Sequence, residues 1–466
     1  MVIPERLDLA LPRICGRFVE YMAGEESPAP GFPPNRRFSI LRQILLTESV
    51  YEGPTQMTTG SGGRMNFYRT GASRRTTGIV VVLVLLVVAA GAYLALGFGG
   101  GPGITTTTST NEATTTTTEA APSINGCGGT LATPLMTYWI RAYASIPPHI
   151  NVSYATEGST MGIAYTTQGL CEFGLSDAPL TAAQYAALPS GSTLLTIPIS
   201  DSGVIPAYNI PGITAHLNFT GNVLAEIFYG TITQWNDPRI ASLNPQVGLP
   251  AHAIQVYHGS DSRGSTYAFT QYLSDSNSTW RTKVGYATSV NWPTGIGCLH
   301  NDGVANCIAY NQYSIGPLEF AYEVTNPGQI NYGAVQNRAG NFSLANLHTI
   351  QLATNAAVKN GLPTSPSQWS SFSEINNIFN DSTDANIYPI ITFTYALIYQ
   401  NLSASYAYMT RAQAVATANF LWWVVNSGQK PGAFLGYSAL PPSDVTFDDQ
   451  VLSSISYDGN PAYTGS

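Results

Sequence analysis

One segment constrains this chain more than any other: the run from Ile79 to Phe98, IVVVLVLLVVAAGAYLALGF, contains no charged residue. Twenty such residues, each rising about 1.5 Å along a helix, match the roughly 30 Å hydrocarbon core of a bilayer. The run therefore predicts a single transmembrane helix. A cleaved signal peptide has a shorter apolar core of about 7–15 residues and a small-residue cleavage site, so an intact anchor is the expectation. Arg64, Arg69, Arg74 and Arg75 precede the helix and no basic residue closely follows it. This asymmetry puts the N-terminus in the cytoplasm and everything beyond Phe98 outside.

Composition divides at the same place. Residues 1–78 hold ten Arg against seven acidic residues, while residues 99–466 hold nine Lys and Arg against 20 acidic residues. The outer part lacks the clustered basic face that a phosphate backbone requires, which excludes nucleic acid as a partner. Residues 1–64 show no periodic apolar face, and Ser27–Pro34 (SPAPGFPP) blocks regular structure. Met65 opens a short basic stretch leading into the helix and is an alternative start. After the helix, Gly100–Pro122 is a Thr-rich tract with little to bury, the composition of a stalk that holds a domain clear of a membrane. The expected order is a cytoplasmic segment over 1–78, the helix over 79–98, a stalk over 99–123 and a folded domain from residue 124.

Two further features fit an exterior location. Six N-x-S/T sequons lie beyond the helix, at Asn151, Asn218, Asn277, Asn341, Asn380 and Asn401. Four of the five cysteines lie there too, an even number suited to two disulfides in an oxidising compartment. Cys298 and Cys307 close a short loop, which leaves Cys127 with Cys171. No C-x-x-C or H-x-x-x-H spacing suggests a metal site, and no cofactor motif occurs.

From Asn125 onward, short apolar runs alternate with helical stretches. Leu195–Ile199, Ile205–Ile210 and Ile254–Tyr257 read as strands; Pro134–Tyr143, Val223–Tyr229, Thr266–Leu273 and Arg411–Val425 read as helices. The alternation predicts an α/β fold. Three strand-to-helix turns are rich in Gly, Ser and Thr: GCGGTLATP (126–134), EGSTMG (157–162) and HGSDSRGSTYAFT (258–270). A helix N-terminus offers free N–H groups and partial positive charge, glycine lets an anion approach the backbone, and hydroxyls add adjustable donors. Each turn by itself reads as ordinary capping; three together could enclose a small oxyanion. In FGLSDAPL (173–180), Asp177 either forms a turn before Pro179 or faces such an anion. A carboxylate beside an anion is repulsive unless the anion brings a proton to donate, as phosphate and arsenate do near neutrality and sulfate does not.

These segments, in this order, resemble the phosphate-binding receptors of ABC transporters, the PstS family. The resemblance runs from about Ile124 to Pro442. It also includes IFYGTITQWNDPRIASLNP (227–245), NWPTGIG at Asn291, SIGPLEFAY (314–322), NRAGNF (337–342), YPIITFTY (388–395) and LGYSALP (435–441). It implies a two-lobed periplasmic-binding-protein-like fold (type II) with crossing hinge strands. Lobe 1 would comprise 124–208 and 318–466, and lobe 2 would comprise 209–317. It further implies a phosphate site built from Thr130 and the backbone of Leu131, Ser159, Asp177 as proton acceptor, and Gly264 and Ser265, with Thr266 beside them.

The sequence departs from that pattern at one point. Family members usually carry an Arg two residues before the Asp of R-x-D-G-S-G-T; here Gly259 precedes Asp261, and Arg263 stands where the family usually has Ser. Arg263 either supplies the guanidinium from a new direction, oriented by Asp261, or points to solvent. The expectation is that it enters the site. The chain so read is a membrane-anchored extracytoplasmic receptor that delivers inorganic phosphate to a permease and is not an enzyme. The alternatives are a receptor for another tetrahedral oxyanion, an adhesin-like surface protein, or a phosphatase, for which His258 is the nearest base.

Overall fold

The computed structural model describes residues 121–463, apart from 329, 381–383 and 407. The segment 79–98 expected to span the membrane lies outside these residues, as do the N-terminal segment and nearly all of the stalk. Among the described residues no helix is long and apolar enough to cross a membrane.

The strands that organise the domain are β1 (Ser123–Gly128), β2 (Asn151–Thr156), β3 (Phe173–Ser176), β4 (Leu194–Asn209), β5 (Gln255–Gly259), β6 (Ile296–Cys298), β7 (Ser314–Glu319), β8 (Asn331–Tyr332) and β9 (Ile391–Tyr399). They form one sheet in the order β2-β1-β3-β9-β4-β7-β5-β6, with β8 pairing off this path on β4. At one end β2, β1 and β3 are parallel; at the other, β7, β5 and β6 are parallel. Parallel strands need crossover connections, here largely helical, which pack against the sheet; the inner strand β3 is wholly buried, while the outer strand β2 alternates exposed positions with buried or half-buried ones.

The centre differs. β4 is sixteen residues long and almost wholly buried. Its residues 194–203 pair antiparallel with β9, and residues 204–209 pair antiparallel with β7. A single strand thus runs from one half of the molecule into the other, which is the crossing hinge of a two-lobed fold. Sequence reading gives two strands here, Leu195–Ile199 and Ile205–Ile210, and assigns nothing to the residues between them. The structure keeps β4 continuous because the buried Asp201 side chain is satisfied by the Ser438 backbone N–H and hydroxyl and by the Thr354 hydroxyl. A polar segment can occupy a core strand when its groups find partners.

Three helices position the site residues: α1 (Thr133–Ala144), α2 (Ser159–Thr167) and α3 (Gly264–Ser276). Each follows a parallel strand and begins at the sheet's C-terminal edge, where ligands of α/β folds gather. Both expected disulfides are present, Cys127–Cys171 and Cys298–Cys307.

Candidate functional site

The three turns expected from sequence meet at one carboxylate. Asp177 directly follows β3 and is fully buried. The Ser159 hydroxyl, at the first residue of α2, donates to Asp177 Oδ2 at 3.1 Å and accepts from the Asp177 backbone N–H at 3.0 Å. The backbone N–H groups of Leu131 and Gly264 donate to the same carboxylate. Gly264 is required by proximity, since a Cβ there would lie 2.7 Å from Asp177 Cγ. The cap of α2 is a glycine and that of α3 is Arg263, and neither makes a side-chain capping bond. No cap side chain competes for their first N–H groups, and that of α3, Gly264 N–H, is turned to Asp177.

Burial pushes the Asp177 carboxyl up to about 6, while its donors, Thr394 and Ser159 foremost, pull it back down. The remaining expected residues lie close by but bind other partners. Thr130 is buried and its hydroxyl accepts from Asn301 Nδ2 at 3.5 Å. Ser265 is buried at the start of α3, with its hydroxyl beside Glu319.

Arg263 does not point to solvent. It is 1% exposed, and its guanidinium folds back over Gly259. A Cβ at position 259 would collide with Arg263 Nε and stand 2.7 Å from its Cζ. The glycine thus vacates the space that the guanidinium fills. Nη1 donates to Asn301 Oδ1 at 2.6 Å, and Nη2 donates to the carbonyls of Cys298 and His300 at 3.2 Å each. Nε stands 3.1 Å from Asp261 Oδ1 as an ion pair. Asp261 thus stands beside the Arg263 guanidinium, and the Cys298–Cys307 disulfide holds the loop that supplies the Cys298 carbonyl. Arg263 is linked to Thr130 through Asn301 and makes no direct bond to Asp177.

Sequence reasoning missed several contributors. The Thr394 hydroxyl donates to Asp177 Oδ1 at 2.7 Å, and that of Thr392 donates to the Asp177 carbonyl at 2.8 Å. Both lie on β9, within the family-like segment YPIITFTY (388–395), to which sequence reading gives no site residue. Tyr154 and Tyr437 donate to the carbonyls of Gly129 and Leu131 at 2.7 and 2.6 Å, which fixes the first turn. Asn301 lies in no segment singled out from sequence, and Glu319 lies in the family-like segment SIGPLEFAY (314–322) without having been assigned a role. His258 stacks on Trp292 with ring centroids 4.8 Å apart, and its Nδ1 lies 3.0 Å from the Gly259 carbonyl. It activates none of the site hydroxyls.

The two ends of the sheet touch here. The Thr160 and Ser262 hydroxyls are 2.6 Å apart, bridging the start of α2 and the turn before α3. The arrangement gathers N–H and O–H donors around one buried carboxylate, with the paired Arg263 guanidinium at its edge.

Comparison with known proteins gives the family and the fold. Residues 109–427 match the family described as the PBP superfamily domain. Over 321 residues the chain is 33% identical to a phosphate-binding protein PstS of Xylella fastidiosa, covering 69% of this chain and 82% of the relative. The chain belongs to the PstS family. A PstS of Methanocaldococcus jannaschii is 32% identical over 328 residues, covering 68% of this chain and 82% of the relative. Among solved structures, the chain is similar to a high affinity periplasmic phosphate-binding protein, PfluDING, bound with phosphate. The TM-score is 0.54 at 17% identity, covering 74% of this chain and 96% of that one. That likeness concerns the fold. The PstS relatives are named as binding proteins, and this chain is read as a receptor and not an enzyme.

Proposed function

We propose that this chain captures inorganic phosphate in the cleft where α1, α2 and α3 begin and delivers it to an ABC permease. The carrying observation is the convergence of donors on Asp177 from turns far apart in sequence. Leu131 N–H, Gly264 N–H and the Ser159 hydroxyl would be shared with the anion, and the Thr130 and Ser265 hydroxyls would complete its shell. Hydrogen phosphate brings its own proton to Asp177, so the carboxylate serves as acceptor and leaves the other donors to the anion. Sulfate has no such proton and would set like charge against like. Arg263 would supply the charge-assisted contact that the family places at position 259. Arsenate, which shares the shape and the proton, is the oxyanion expected to compete best.

Residues 124–208 with 318–466, and 209–317, would act as lobes closing about β4 and β9. The helix over 79–98 would tether the receptor to the membrane, with the Thr-rich tract as its stalk. Equilibrium dialysis of the purified full-length chain against radiolabelled phosphate tests the reading. Retention that cold phosphate and arsenate displace is expected; no retention by folded protein refutes it.

A further inference from the structure

Glu319 ends β7, paired with Val204 on the hinge strand β4, and caps the helix Phe320–Thr325 without making a side-chain capping bond. Its side chain is 1% exposed, and neither carboxyl oxygen completes a hydrogen bond of ordinary geometry among the described residues. Burying an ionised carboxylate in that condition is strongly unfavourable, so such a group either keeps its proton or meets a ligand.

Its surroundings point to the ligand. The groups facing it are the Arg263 guanidinium and Ser265 hydroxyl from the start of α3, Asp177 from the end of β3, Tyr322 from the following helix, and Tyr437. Arg263, Ser265 and Asp177 belong to the proposed phosphate site, and Tyr437 holds its first turn. Arg263 is the positive group among them, and Asp261 already pairs with it. Two ionised carboxylates and a dianion would face one guanidinium that is already neutralised. A shared proton removes part of that repulsion.

We propose that Glu319 shares a proton with the bound anion, so that the closed complex carries one proton more than Asp177 and hydrogen phosphate would hold between them. The proton can sit on Glu319, which then donates to hydrogen phosphate, or on the anion, which then donates to Glu319 as dihydrogen phosphate. The composition is the same. Burial pushes the Glu319 carboxyl up to about 7, against the opposing pull of Arg263 and Ser265, so the proton is within reach at neutral pH. The inference rests on the phosphate reading of this site and adds that capture is linked to proton uptake.

On the alkaline side, where free Glu319 and free phosphate have both lost the proton, Kd should rise about tenfold per pH unit. The test is calorimetric titration of the full-length chain with inorganic phosphate at mildly alkaline pH, in two buffers of different ionisation enthalpy. Uptake of close to one proton per phosphate is expected for the parent. For Glu319→Gln, which keeps a donor but cannot titrate, continued binding with almost no uptake and a flat pH profile is expected. Phosphate binding by the parent without proton uptake overturns the inference and leaves the phosphate reading intact, as does undiminished uptake in Glu319→Gln. No phosphate binding by the folded parent overturns both. If the variant does not fold, the parent in the two buffers decides.

Discussion

Thr394→Val removes a single oxygen from the centre of the site and should degrade selectivity more than fold. Thr394 is fully buried on β9, and valine keeps its shape while deleting the hydroxyl that donates to Asp177 Oδ1 at 2.7 Å. A hydrogen bond to an ionised group contributes about 1.5–3 kcal/mol. One pH unit corresponds to about 1.4 kcal/mol. Asp177 stands at about 6 with this donor in place; without it the carboxyl should rise by about one to two units, to about 7–8. At neutral pH half or more of the molecules would then carry a protonated Asp177. A protonated Asp177 cannot accept the phosphate proton and no longer repels sulfate. Preference for phosphate over sulfate should fall by about tenfold or more, and should recover as pH is raised and Asp177 ionises again. Paired calorimetric titrations with phosphate and sulfate, from mildly acid to mildly alkaline pH, read this directly, with Thr394→Ser as the hydroxyl-retaining control. If the valine variant discriminates as well as the parent throughout, Asp177 does not select the anion by accepting its proton.

Gly259→Ala puts a Cβ into the space held by the Arg263 guanidinium and should weaken phosphate binding by roughly ten- to a hundredfold, the worth of a charge-assisted bond. Gly259→Arg combined with Arg263→Ser restores the family arrangement and should recover that affinity; equal weakness in the double variant would show that Arg263 is not the substitute. Stability without ligand should also depend on pH. Asp201 is fully buried and raised to about 6 by burial, and Glu374 is raised to about 7. Because these folded-state values lie above the unfolded ones, the native state holds more protons between about pH 4 and pH 7. Unfolding free energy should therefore fall as pH rises through that window and level off above it, by up to about 3 kcal/mol for Asp201 alone. Denaturant titrations at stepped pH check this, and Asp201→Asn should flatten its share of the slope.

What the sequence disclosed and what it withheld have physical causes. The most recognisable segment, GTITQWNDPRIASLNP, lies away from the site and serves as scaffold. Asp237 caps the short helix Pro238–Ala241, Arg239 pairs with Asp237 and Glu226, buried Trp235 donates to the Tyr313 carbonyl, and the Asn244 amide holds Asn218. Such a run is legible because caps, a proline at a helix start and a buried indole each demand particular residues. The three anion turns are legible for a similar reason, as glycine and hydroxyl residues gather where strands give way to helices. Arg263 showed itself only as a departure at position 259, and its direction depended on space that only the fold reveals. Thr394 and Glu319 lie in family-like segments, YPIITFTY and SIGPLEFAY, but nothing local marks them or Asn301 as site residues, because their partners are remote in sequence: Thr394 bonds Asp177 from 217 residues away, Asn301 bonds Thr130 from 171 away, and Glu319 feels the charge of Asp177 from 142 away. The continuity of β4 between Leu195–Ile199 and Ile205–Ile210 was hidden for the same reason, because the partners of Asp201 at Thr354 and Ser438 are remote.

Asp177 is the group proposed to tell a protonated oxyanion from an unprotonated one. Calorimetric competition between phosphate and sulfate, on the full-length chain and on Asp177→Asn at neutral pH, tests that role most directly. The parent should bind phosphate and ignore sulfate, whereas the variant should lose most of its phosphate affinity and gain measurable sulfate binding. A parent that takes both anions equally, or a variant that keeps the parent's preference, would contradict it.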